Sequence, residues 1–260
     1  ASVLVDTMLA SLAFIVGEGG VAALYYASRL VQLPLGIFGI SVAQAALPTL
    51  SQQASLQDMD SFKATLLSAL RATLVITIPA SVGLVLLGRP IVETLFQRGE
   101  FTAYSSEITS FALMFYAFGL WAFAWNKILV AAFHSMKDTR TPVKAGAAAL
   151  GANIALNLIL MWPLGIGGLA LATACSSTLS CVLLMRWLGV RLQGLNFAQA
   201  LRVPLMRVGA ATLLMAVFCV ATAEKPLFFS IGGSIVLYGV GCVLLNVEEV
   251  KVLTRKWRRT

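Results

Sequence analysis

The sequence predicts an all-α fold, a polytopic transmembrane bundle of about eight helices. Three observations carry this. Hydrophobic residues make up 59% of the 260 positions and charged residues only 12%, against about 25% charged in soluble domains. The mean hydropathy is +0.87. Apolar stretches long enough to cross a bilayer, about 20 residues each, recur along the chain with short polar connections between them.

The eight spans fall at about 1–16, 21–49, 64–88, 105–133, 143–163, 168–187, 205–223 and 227–246. The first is short, and no signal-peptide pattern precedes it. The expectation is therefore a C-terminal piece of a longer protein, cut inside a helix. Short connections make consecutive helices antiparallel neighbours. Small residues such as Gly146-Ala147-Ala148-Ala149 and Gly167-Gly168-Leu169-Ala170 let helix backbones approach closely. Two of the connections have character of their own. Phe96-Gln97-Arg98-Gly99-Glu100-Phe101-Thr102 reads as a turn between two helices. In His134 to Pro142, Thr141 suits an N-cap and Pro142 the first helical position. The charges of that second loop either hold topology or pair with another loop as a gate.

Basic residues set the orientation. One set of alternate connections holds Lys63 and Arg71, then Lys137, Arg140 and Lys144, then Arg186, Arg191, Arg202 and Arg207, then Lys251, Arg255, Lys256, Arg258 and Arg259. The opposite set holds only Arg89, Arg98 and Lys225. The richer side is cytoplasmic by the positive-inside rule, which places the C-terminus in the cytoplasm. The net charge of +8 thus reports topology and is no nucleic-acid footprint. The basic tail also suits contact with anionic lipid. The last two spans are nearly devoid of polar groups, which suits contact with lipid or a lipid chain.

Polar residues inside spans need an account. Arg29 lies near the middle of the second span, followed by Pro34, Gly36 and Gly39. A lone Arg at that depth costs roughly 2.5–3.5 kcal/mol on insertion scales unless it faces protein or water. Its planar fork suits phosphate; equally, it can be a structural Arg held by carbonyls or a carboxylate. Asp6 must be paired, protonated or bound to a cation. Asn153 and Asn157 share a helix face at i,i+4, and Thr173 lies on the next span. Together these offer oxygen ligands suited to a hard cation such as Na+, or interhelical hydrogen bonds. Lys127 either snorkels to the interface or lines a cavity mouth. The four cysteines lie in apolar spans without a CxxC, and the single His134 is remote from them, so no zinc pattern exists. No P-loop or nucleophilic triad is present, so an enzyme is not expected.

The runs Leu4–Ser11, Ala23–Gly36, Ala46–Ser51, Leu95–Phe101, Lys127–Phe133, Lys137–Lys144, Pro163–Gly165 and Gly168–Thr173 together resemble the MurJ (MviN) family of lipid II flippases. The family belongs to the multidrug/oligosaccharidyl-lipid/polysaccharide exporter superfamily. The resemblance covers roughly residues 3–190. It implies a fourteen-helix transporter of which this chain is the second half, with a second-lobe bundle over 1–190 and two C-terminal helices with a basic tail over 191–260. It implies translocation of the undecaprenyl-diphosphate-linked peptidoglycan precursor across the bacterial inner membrane by alternating access, with the piece inactive alone. Arg29 matches a cavity arginine that would hold the diphosphate. Asp6, Asn153, Asn157, Leu169 (through its carbonyl) and Thr173 fall on a family sodium site, with Asn157 where an Asp is found. Gln32, where some members are acidic, joins Pro34, Lys127 and Arg140 as candidates for cavity wall or gate. Implied partners are lipid II, membrane lipids, the N-terminal lobe and cell-wall synthesis proteins. Competing readings are an exporter of another lipid-linked saccharide or drug, and a non-transporting cell-wall scaffold.

Overall fold

The computed structural model describes residues 19–193, 195–222 and 225–245, and every regular element in them is helical. The span expected at 1–16, with Asp6, and the basic tail from Lys251 lie outside the described residues. In chain order the elements are α1 (Gly20–Pro34), a π-helical turn (Leu35–Ile40), α2 (Ser41–Ser55), α3 (Met59–Phe96), α4 (Ala103–Phe118), α5 (Leu120–Ser135), α6 (Arg140–Leu164), α7 (Ile166–Arg191), α8 (Phe197–Ala221) and α9 (Leu227–Leu244).

Among the described residues, six helices are long and apolar enough to cross a membrane. They become seven when α4 and α5 count as one bent span. The chain is therefore a multi-span membrane protein. Most helices outrun the apolar stretches that mark them. Gly20–Ser55 is 36 residues and α3 is 38, so each reaches about 55 Å against a hydrocarbon core of about 30 Å. Hydropathy registers only the lipid-immersed part. Side-chain caps start several helices: Asp58 accepts from Ser61 N at 3.1 Å, Thr102 from Ser105 N at 3.3 Å and Asn196 from Gln199 N at 3.2 Å.

Four expectations are corrected. The span at 105–133 is two helices, bent by 46° at Gly119. A Cβ on Gly119 would stand 2.8 Å from Ala174 Cβ, so α7 crosses where only glycine fits. The bend turns the Gly119 N–H to Tyr116 O, and the freed Ala117 carbonyl accepts the Ser81 hydroxyl. Next, α8 begins at Phe197, so Arg202 and Arg207 lie inside it; the Asn196 cap outweighs their polarity. Thirdly, beyond its first turn α8 packs on α3 and α9 rather than on α7, its predecessor. Finally, Thr141 is not the cap of α6. Asp138 accepts from Arg140 N and Thr141 N, both at 3.0 Å, because a carboxylate two residues earlier reaches both amides at once.

The apolar interior forms two large clusters and a small third one of Val75, Val208, Ala211 and Cys242 between α3, α8 and α9. Of the two large ones, one gathers Leu24, Leu30, Val92, Leu113, Leu120 and Leu169; the other gathers Leu50, Phe62, Leu70, Ile128, Phe133 and Leu184. The first takes α1, α4 and the start of α7. The second takes α2, α5 and the end of α7. The boundary between them falls at the π turn and at Gly119, which lie close together: Gly39 packs against Ala124, one turn into α5. Outside, α6 exposes Leu158, Ile159 and Trp162, while α8 and α9 expose Leu213, Val217, Phe228 and Val236. Such apolar exteriors suit lipid.

Candidate functional site

Arg29 stands nine residues into α1, on an exposed face that continues through Gln32, Leu33 and Ile37. The opposite face of α1, with Ala23, Ala27, Leu30 and Val31, is buried. The amphipathic split obeys the 3.6-residue period, and it turns the cation away from the core. Arg29 Nη2 donates to the Tyr25 hydroxyl at 3.1 Å, and its guanidinium carbon lies 4.8 Å from the Tyr25 ring centre. Both contacts come from its own helix, one turn earlier. No carboxylate pairs with it among the described residues. The structural reading, a guanidinium held by carbonyls or a carboxylate, finds no such partner among the described residues. Tyr25 is the residue that sequence reasoning missed, although its i,i+4 spacing to Arg29 was visible.

Below Arg29 the helix changes winding. Pro34 ends α1 and the next six residues form the π turn. Proline lacks the N–H and its ring displaces the preceding carbonyl, so the local ladder must rearrange. The bend expected from Pro34, Gly36 and Gly39 therefore takes the form of a π turn. Lys127 is exposed on α5, one turn past the Ala124 that supports Gly39. Gln32 is exposed one turn below Arg29 on α1, and Lys127 is exposed on α5, the helix that packs on the π turn. Arg140 does not join them. It opens α6 with an exposed side chain.

Pro34 and Phe38 also edge an apolar cavity of about 480 Å³ between α3, α8 and α9, whose further walls include Pro79, Leu84, Met215 and Ile235. Tyr238 donates to Val75 O at 2.5 Å, which ties α9 to α3 across it. The cavity begins five residues from Arg29, about 7.5 Å along the helix.

The second polar set is built differently. Asn153 and Asn157 are both 0% exposed. Asn157 Nδ2 donates to Asn153 Oδ1 at 3.3 Å, and Asn153 Nδ2 donates to Thr173 Oγ1 at 3.2 Å. This links α6 to α7. Leu169, one turn before Thr173, is buried in the first apolar cluster. The close approach depends on Gly168, where a Cβ would lie 2.1 Å from Leu160 O. Three of the expected cation ligands are thus brought together, with Leu169 one turn away. The oxygen donors suit a hard cation, and the hydrogen bonds among them also satisfy a purely structural role.

The loop before α6 is a staple. Asp138 Oδ2 meets Arg191 Nη2 at 2.5 Å and the Thr141 hydroxyl at 2.6 Å. The Thr141 hydroxyl and N–H, then the Arg191 charge and the Arg140 N–H, hold the Asp138 carboxyl down at about 2. The partner is the end of the next helix within the same bundle. The loop's charge therefore joins α5, α6 and α7.

Comparison with known proteins identifies the family and the fold. The family model for lipid II flippase MurJ matches residues 1–238. A probable lipid II flippase MurJ of Vibrio cholerae is 40% identical over 193 residues, covering 74% of this chain and 36% of that protein. One from Bdellovibrio bacteriovorus is 30% identical over 248 residues, covering 92% and 47%. A solved structure of lipid II flippase MurJ in an inward closed conformation superposes with a TM-score of 0.75 at 25% identity, over 97% of this chain and 53% of that one. The chain thus spans less than half of the length of these two curated relatives. Matched along nearly its whole length, the chain belongs to the lipid II flippase MurJ family.

Proposed function

We propose that this chain is the second lobe and C-terminal helix pair of a lipid II flippase, which moves the lipid-linked precursor from the inner to the outer leaflet of the bacterial inner membrane. The observation that carries this is Arg29: a guanidinium in mid-span, exposed on one face of α1 and held, among the described residues, by Tyr25 of its own helix. A planar fork in that position suits a diphosphate, which accepts two parallel hydrogen bonds. The apolar cavity that starts at Pro34 and runs between α3, α8 and α9 suits the polyprenyl tail of the same molecule. Headgroup and tail then lie on consecutive turns of one helix. The first lobe would supply the facing wall, and the π turn, with Gln32 and Lys127 beside it, would let that wall open and close. With the basic connections inward, the C-terminus lies in the cytoplasm.

The test is lipid II translocation by the parent protein in vesicles. Arg29→Ala should abolish most of the activity without loss of folding. Unchanged translocation would remove Arg29 from the mechanism. The 260-residue piece, lacking the facing wall, should not rescue a flippase-depleted strain.

Sodium is part of the proposal. Asn153, Asn157 and Thr173 would supply neutral oxygens, the Leu169 carbonyl another, and Asp6 the negative charge. The ion would tie the Asp6 segment to α6 and α7. Sodium should raise the melting temperature of the parent and leave an Asp6→Ala variant unmoved; equal stabilisation of both would sink the idea.

A further inference from the structure

Two side-chain hydrogen bonds join the α8–α9 pair to α3, and both end on a carbonyl that a proline has left open. A proline has no N–H to give the carbonyl four residues before it. Pro204 thus leaves Ala200 O without its helical donor, and Arg71 Nη2 of α3 donates to it at 3.0 Å. Pro79 leaves Val75 O without one, and the Tyr238 hydroxyl of α9 donates to it at 2.5 Å. The bilayer core offers no water to such a carbonyl, so a neighbouring side chain must answer it. Arg71 and Val75 stand one turn apart on α3. Both bonds therefore anchor the pair at one level of that helix.

The apolar packing sits at the same level. Val75, Val208, Ala211 and Cys242 form their cluster there, with Ile78 against it. Just before it, Phe197 and Leu201 of α8 join the cluster of Leu188 and Leu192 at the end of α7. Past Ile78 the arrangement changes. Ala80, Leu84 and Ile91 pack with the cluster of α1 and α4. Toward α8 and α9, the stretch from Pro79 to Ile91 lines the cavity of about 480 Å³, opposite Met215, Cys219 and Ile235. Among the described residues, no hydrogen bond beyond that of Tyr238 crosses it. The pair itself is tied at this open end. Ser230 Oγ donates to Thr222 O at 2.8 Å, and Cys219 Sγ lies 2.9 Å from Ser234 Oγ. At the anchored end Gly241 packs on Ala211. So α8 and α9 hold each other along their length and hold α3 at one end. Two packed helices anchored at one end, with a void under the other, have the geometry of a hinged body.

We propose that α8–α9 is a hinged flap on the apolar cavity, turning as one body about the Arg71 and Tyr238 bonds so that the cavity widens toward Ile91. The flap rests on this geometry and needs no substrate, so its test stands apart from the lipid II reading. The first measurement is the pulsed-EPR distance between two spin labels on the full-length parent in lipid nanodiscs, with its other cysteines replaced. Leu86→Cys with Val220→Cys reports the open end, and Ser68→Cys with Val203→Cys the anchored end; all four positions are exposed. The open-end distribution should be broad and the anchored-end distribution narrow. Equal widths overturn the flap. The second measurement concerns the pivot. Tyr238→Phe leaves Val75 O bare, so it should lower the melting temperature and broaden the anchored-end distribution. With Pro79→Ala, position 79 regains an N–H that takes Val75 O, so the same Tyr238→Phe change should then cost less. Equal losses in both backgrounds overturn the pivot. A Tyr238→Phe protein that folds only together with Pro79→Ala supports it. Lipid II translocation by the same parent separates the two ideas. Translocation with equal widths keeps the function and removes the flap. A broad open end without translocation keeps the flap and removes the lipid II reading.

Discussion

The exposed face of α1 and the α6–α7 hairpin each place polar side chains inside a membrane bundle, and they do so by opposite means. Arg29 sits on an open face, with its charge balanced by no carboxylate among the described residues. Asn153, Asn157 and Thr173 sit in a closed seam, neutral, fully or half buried, and bonded to one another. A polar group in a bilayer must be answered by something. The seam is answered in large part by bonds from Asn157 to Asn153 and from Asn153 to Thr173. The face is not, so its polarity points to a ligand or a second lobe. The difference separates a cation whose described partners end at Tyr25 from amides and a hydroxyl that bond to one another across two helices.

The comparison breaks most visibly at Arg29. Arg29→Ala should lower lipid II translocation by the parent about 10- to 100-fold, the worth of a charge-assisted pair of hydrogen bonds, with the melting temperature unchanged. Arg29→Lys should recover part of this, since the charge remains while the fork is lost. A fall in stability equal to the fall in transport would make Arg29 a structural residue like the Asn pair.

In the seam the expected effects fall on stability. Gly168→Ala forces a Cβ onto the Leu160 carbonyl, where backbone cannot yield. It should cost about 3 kcal/mol by thermal unfolding of the parent, with any loss of transport tracking the loss of folded protein. Asn153→Ala should cost about 2 kcal/mol, because it leaves Thr173 and Asn157 short of a partner. Replacing Asn153 and Asn157 together by Leu should restore much of that, since apolar pairs can substitute for satisfied polar ones. If the double variant is stable yet has lost its sodium response, the seam is a cation site as well as a staple.

The fold was largely legible in the sequence because hydropathy reports the lipid-immersed part of each helix directly. The breaks were half legible. Pro34 with Gly36 and Gly39 announced irregular backbone, but not that it would be a π turn. The Gly119 bend was invisible, because its cause is the approach of Ala174 from a helix much later in the chain. The site obeyed the same rule. Arg29 and the Asn pair stood out as polar in apolar runs, and Tyr25 was within reach at i,i+4. The Asp138–Arg191 contact and the cavity between α3, α8 and α9 are tertiary facts with no local signature.

Asp138 sharpens the closed side further. Its carboxyl titrates at about 2 in the folded protein against an ordinary 3.8. A lowered folded value means the anion is favoured by folding, so its contribution is complete above about pH 4 and is lost as the pH falls toward about 2. Asp138→Asn should therefore lower the melting temperature modestly near neutral pH, and the gap to wild type should close at about pH 2–3. A gap that persists at low pH would assign the effect to packing.

The smallest expected effect bears on the open side. Tyr25→Phe removes the 3.1 Å hydrogen bond from Arg29 and keeps the ring beneath the guanidinium. Since both groups are exposed, the bond is worth little, and translocation should fall by no more than about twofold. Tyr25→Ala removes the ring as well, and should cost about fivefold as the guanidinium loses its platform. A mild Phe variant and a moderate Ala variant, both weaker than Arg29→Ala, are the result expected of a Tyr25 that only positions Arg29. If Tyr25→Phe is as damaging as Arg29→Ala, the hydroxyl itself meets the substrate, and the open face holds two ligand contacts where the geometry assigns one.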